Sequence, residues 1–129
     1  MSANEQSVSF KFPNTTGSTA DDQDIPWPFK GDWMLTSFAY SPETTVAASA
    51  TNYATMTVET MDVVANLAAC TGTITNATVA FTIGTARTQA LSGAACQISQ
   101  GDTIRIAKTA AGTGTAILGV FTVVAEKVP

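Results

Sequence analysis

Apolar and polar residues alternate along most of this chain, with the period of a β-strand rather than that of a helix. From Asn52 to Met61, Ala54, Met56 and Val58 fall on one face and Tyr53, Thr55, Thr57 and Glu59 on the other. Thr103 to Lys108 sets Ile104 and Ile106 against an outward Arg105, and Thr73 to Ile83 carries Val79, Phe81 and Ile83 at period two, with a turn expected at Asn76. Trp33 to Tyr40 predicts a strand closed by Ser41-Pro42, and Ile117 to Ala125 predicts the most hydrophobic one. Val63 to Ala69 is apolar throughout and reads as a strand or a short helix. Gly84 and Gly93 bracket a short segment around Ala90-Leu91, while Gln100-Gly101-Asp102 and Gly112-Thr113-Gly114 break the chain. Seven or eight short strands without a helical stripe predict an all-β fold, a β-sandwich or jelly roll, over residues 33–129.

Residues 1–32 read differently. Ser, Asn, Thr, Asp, Gln and Pro dominate, and Asn14 to Asp24 has too little apolar surface to pack by itself. Two apolar clusters interrupt this polarity. Val8, Phe10 and Phe12 alternate with Ser9 and Lys11, the pattern of a strand able to add to a sheet edge. Pro26 and Pro28 hold their segment extended and present Trp27 and Phe29 as anchors. Two readings are open for these rings: they fold back onto the domain's own core, or they grip a neighbour as part of an extended N-terminal arm. The second makes Phe10, Phe12, Trp27 and Phe29 candidate partner-binding residues.

Charge sharpens the division. Only 12% of residues are charged and the net charge is −4; up to Asp32 there are five acids against two bases, and from Trp33 onward five against four. Bases this few and this offset do not neutralise a row of phosphates, so neither nucleic acid nor an anionic membrane is an expected partner. No stretch reaches the roughly 18 apolar residues of a spanning helix, and the N-terminus lacks the basic-then-apolar order of a secretory signal. Synthesis in the cytoplasm is therefore expected.

Catalytic chemistry has little to draw on. The chain has no His, which removes the commonest general base and metal ligand. Glu43, Glu59, Asp62, Asp102 and Glu126 read as solvated surface rather than as a paired-carboxylate site. Asp21, Asp22 and Asp24 lack the central Gly and distal Glu of a calcium loop. The sequons at Asn14 and Asn76 matter only in a secreted protein. Neither an enzyme nor a cofactor is expected. Cys70 and Cys96 pair only if the fold brings their Cα atoms within about 7 Å, and two small buried thiols kept reduced are the favoured reading. A sheet whose outward positions are Thr, Ala and Ser suits burial against another subunit.

Two stretches carry a resemblance. Val46 to Val58, with its Asn52-Tyr53-Ala54-Thr55, and Ile98 to Lys108 followed by Gly112-Thr113-Gly114-Thr115-Ala116 resemble blocks of small tailed-phage head decoration (cement) or head-fibre proteins. The matched blocks span about a quarter of the chain. The resemblance implies a sandwich or jelly-roll module on the virion surface, assembled as a homotrimer, binding the major capsid protein and stabilising capsomer junctions. A carbohydrate- or receptor-binding fibre module is the alternative. Sugar sites need exposed rings, and within the body Tyr40 and Tyr53 are the two expected to be available.

Overall fold

The computed structural model describes residues 4–12, 21–62 and 67–129. Where the sequence alternates, strands form, because only a pleated backbone puts every second side chain on one side. Among the described residues there are nine: β1 (Glu5–Phe12), β2 (Asp21–Pro26), β3 (Asp32–Pro42), β4 (Tyr53–Met61), β5 (Leu67–Thr75), β6 (Arg87–Ala90), β7 (Gln97–Ser99), β8 (Thr103–Ala111) and β9 (Gly119–Lys127). All pairings are antiparallel. One sheet has the order β1-β9-β3-β6, with β7 also on β3, and the other the order β2-β8-β4-β5. The two pack face to face as an all-β sandwich.

The order follows from a nested ribbon. Glu5 pairs with Glu126, Ile25 with Ile104, Phe38 with Gln89 and Thr57 with Thr73, so partners lie about equally far from the middle of the chain. The chain is one long antiparallel ribbon rolled up so that successive pairs fall in alternate sheets. β9 then lands between β1 and β3, and β8 between β2 and β4, which is the jelly-roll arrangement. β6 and β7 are two pieces of one ribbon strand. Both pair with β3, and Leu91 N–H bonds Thr36 O between them, before the chain loops out through a 3-10 turn (Ala94–Cys96).

The inner faces form one core. Phe121 of β9 sits at its centre, with ring centroids of Tyr40 at 4.8 Å, Phe12 at 5.6 Å, Phe10 at 6.2 Å and Phe38 at 6.4 Å. Each such aromatic pair adds about 1 kcal/mol beyond its buried area. From the other sheet Met56, Val58, Ile104 and Ile106 complete the layer.

Three expectations need correction, and one buried charge is new. The N-terminal quarter is not an arm outside a body that starts at residue 33: β1 lines β9 and β2 lines β8, and without them two apolar central strands would become open edges. Val79 and Ile83 are exposed at 53% and 59%, so only Phe81 of that period-two run is core; an isolated bridge from Val46 to Phe81 replaces the expected strand. Lys108, whose burial no expectation covered, is 1% exposed because it continues the inward parity of Ile104 and Ile106, with Asp21 opposite it in register. Cys70 and Cys96 form a disulfide, their Cα atoms 4.8 Å apart. β5 and the turn before β7 lie side by side where the two sheets meet, which brings the thiols together. Of the apolar run Val63 to Ala69, residues 63–66 lie outside the described residues, as does the polar stretch 13–20; the remainder begins β5.

Candidate interaction surfaces

The four aromatic residues expected to grip a partner separate into two groups. Phe12 and Trp27 are fully buried in the protein's own core, while Phe10 and Phe29 are half-buried and pack against it. Trp27 lies between Phe29 and Trp33, with centroids at 5.0 and 5.9 Å, and its backbone bonds both Asp102 O and Gly101 N–H. Trp27 Nε1 is buried without a hydrogen-bond partner among the described residues, a cost of about 1–3 kcal/mol offset by the packing of the ring. The structure brings Trp27 and Phe29 together at the start of β3 and places Phe10 and Phe12 on β1 against Phe121.

Strand register builds the outer face of the first sheet. Three cross-strand rows run Ser9-Thr122-Ala39-Thr88, Ser7-Val124-Ser37-Ala90 and Lys11-Val120-Ser41. Lys11 is the one charged residue in them, and Ser9 and Thr122 share a 2.8 Å hydrogen bond across the β1–β9 boundary. With short side chains everywhere but at Lys11, these rows have little rotamer entropy to lose on being covered.

The second sheet's outer face carries rows Thr109-Thr55-Thr75 and Ala107-Thr57-Thr73, then a charged row Asp24-Arg105-Glu59. Arg105 grips Asp24 through both carboxylate oxygens, at 2.7 and 3.0 Å, with Asp22 at 3.6 Å. That bidentate hydrogen bond lowers the Asp24 pKa from its ordinary value. The pair is solvent-exposed and contributes little to stability.

The two stretches that carry the family resemblance meet at one end of the sandwich. Asn76 is fully buried; its Nδ2 donates to Ala47 O and to Thr115 Oγ1, both at 3.1 Å, and its Oδ1 accepts Ala54 N–H at 3.0 Å. Asn52 Oδ1 accepts Thr113 N–H at 2.9 Å, and Thr115 Oγ1 donates to Asn52 O. Gly112 adopts φ 59°, and a Cβ there would collide with Asn52 Oδ1 and Thr51 O. These residues are therefore a clamp on the loops rather than an exposed ligand site. Sequence reading took Asn76 for a turn residue, since nothing local shows that its amide is buried.

Tyr40, one of the two rings expected to be available to a sugar, is buried and donates its hydroxyl to Leu118 O at 2.9 Å. Burial, partly countered by that hydrogen bond, raises its pKa to about 12. Tyr53 stays partly exposed. Among the described residues no group of three His, Cys, Asp or Glu side chains converges to hold a metal, no cavity opens, and no helix is long and apolar enough to cross a membrane. Comparison with protein-family models, with curated proteins and with solved structures gives no match.

Proposed function

We propose that the protein is a non-enzymatic structural module that decorates an assembled phage head, binding the major capsid protein and stabilising junctions between capsomers. The observation that carries this reading is the middle of the outer face of the first sheet, where the rows Ser9-Thr122-Ala39-Thr88 and Ser7-Val124-Ser37-Ala90 span four strands without a charge, Lys11 and the Glu5-Glu126 row lying on either side of them. A neutral patch of short side chains suits protein contact, because it can be desolvated without stranding charges. The resemblance of Val46–Val58 and of the stretch after Ile98 to head-decoration proteins points the same way. A Cys70–Cys96 bridge suits a protein that works outside a reducing cytoplasm, as a virion surface does after release.

Stabilisation needs no chemistry. A protein that binds the assembled shell and not its free subunits shifts the equilibrium towards the shell by mass action, and several copies held on one particle gain by avidity. Half-buried Phe10 and Phe29 retain ring surface for such contact, whereas Phe12 and Trp27 serve the core.

Co-sedimentation with assembled empty heads of the encoding phage, against unassembled coat protein as control, tests the proposal. Pelleting at a fixed stoichiometry and a raised melting temperature of the shell are expected. Protein that stays in the supernatant and instead binds a glycan array would replace this reading with the fibre-module one.

A further inference from the structure

β1 is the outermost strand of its sheet, and among the described residues nothing pairs with its far side. Which of its backbone groups are free follows from one hydrogen bond. Lys127 N–H bonds Asn4 O, so even-numbered residues of this segment turn their N–H and C=O towards β9. Glu5, Ser7, Ser9 and Lys11 therefore turn theirs outward, away from the sheet.

This edge is self-complementary. Laid antiparallel against a second β1 with Val8 opposite Val8, it sets Ser7 opposite Ser9 and Glu5 opposite Lys11. All of those are residues whose backbone groups point outward, so the register satisfies about eight main-chain hydrogen bonds across the edge. Both Glu5–Lys11 pairs are of opposite charge and lie on the outer face. Within its own sheet Glu5 faces Glu126, a like-charge neighbour that leaves it in need of a cation. Val8, half-buried at the rim of the core, would meet its own copy on the axis.

We propose that two copies of this chain join β1 to β1 about a twofold axis through Val8, continuing the first sheet across the boundary. The occupant of the edge is a second copy because the charges at its two ends complement each other in that register, Glu5 of the copy reaching Lys11 as a second acid beside Glu43, which lies 3.2 Å from Lys11 in its own chain and leaves that side chain largely exposed. Such an isologous contact closes with two chains; the family resemblance implies three. The inference does not rest on the shell-binding reading.

Light scattering across a concentration series tests it in the intact chain, with Ser7→Pro as the first variant. Proline there removes an N–H that points away from β9, so the fold is kept and the new ladder is broken. Expected masses are twice the 13.3 kDa of one chain for the wild type and one chain for Ser7→Pro. Glu5→Lys sets Lys against Lys11 and weakens association about tenfold, while the double exchange Glu5→Lys with Lys11→Glu restores it in a Glu43→Gln background, which removes the acid 3.2 Å from Lys11 in its own chain. The charge exchange decides the matter if Ser7→Pro fails to fold. A wild-type mass of one or three chains, or a dimer that neither Glu5→Lys nor its compensation changes, overturns the proposal.

Discussion

Breaking the Cys70–Cys96 bridge tests how the open side of the sandwich is held. The bridge joins β5, the edge of one sheet, to the turn that interrupts the edge of the other. It closes a loop with a sequence separation of 26 residues. Loop-closure entropy for that length gives about 3.5 kcal/mol of stabilisation, acting by constraining the unfolded chain. Unfolding entropy of about 2 cal/mol/K per residue turns this into a fall of roughly 13 °C in Tm for a chain of this size.

The assay is calorimetry of the oxidised protein, of the protein held in reductant, and of the Cys70→Ala/Cys96→Ala variant. Both forms without the bridge should melt lower by about the same amount. Hydrogen exchange should show where the loss is felt: amides of β5 and β6 become less protected, while those of β1 and β9, on the opposite side of the roll, change little. A Tm in reductant within about 2 °C of the oxidised value would refute the reasoning, and so would two thiols titrating in the unreduced, unfolded protein.

Three further outcomes follow from particular contacts. Asn76→Ala removes three hydrogen bonds at once, two of them buried, and strands Ala54 N–H, so denaturant unfolding should show a loss of about 3 kcal/mol; a loss below about 1 kcal/mol would mean the loop clamp is dispensable. Trp27→Ala should lower stability by about 3–5 kcal/mol, since the ring is core; an unchanged unfolding midpoint with weakened shell binding would return Trp27 to the partner surface. Tyr40 has a folded pKa near 12 against an ordinary value of 10, so its contribution is present in full below pH 10 and is lost as pH rises through 12. Two units correspond to about 2–3 kcal/mol; ultraviolet titration of Tyr53→Phe, which leaves Tyr40 as the sole tyrosine, should place ionisation near pH 12, and a midpoint at 10 would contradict the burial.

Strands with one face on the core were legible in the sequence, and the reason is physical. β4 and β8 alternate because an inward residue must be apolar and an outward one need not be, so their inner faces could be named residue by residue, whereas β9, with Val120 and Val124 apolar on the outward positions, was legible only as a hydrophobic strand. The same parity puts Lys108 inward in the structure, against what its chemistry alone would suggest. Val79 and Ile83 mark the limit: period two is necessary for a half-buried strand, but a segment that crosses the end of a sandwich can show it with no core to face. Asn76 and Cys96 lay beyond reach because their partners come from other turns of the ribbon, 22 and 26 residues away.

The N-terminal quarter is the deeper case. Val8, Phe10 and Phe12 announced a strand, and the expectation that it adds to a sheet edge describes what β1 does on β9, the partner being this chain's own last strand. Side-chain pattern determines that a segment is extended and which face is apolar; it carries almost no information about which edge receives it, because the ladder is made by backbone groups that every residue except proline supplies. Proximity in the rolled ribbon decides that, and β1 is delivered to β9 by the nesting of all the pairs inside it. Once it has docked, its odd-numbered residues still present the same groups on the far side. A strand that satisfies its own sheet therefore retains the capacity first read from its sequence, and whether a second chain uses it turns on the Glu5 and Lys11 charges at its two ends.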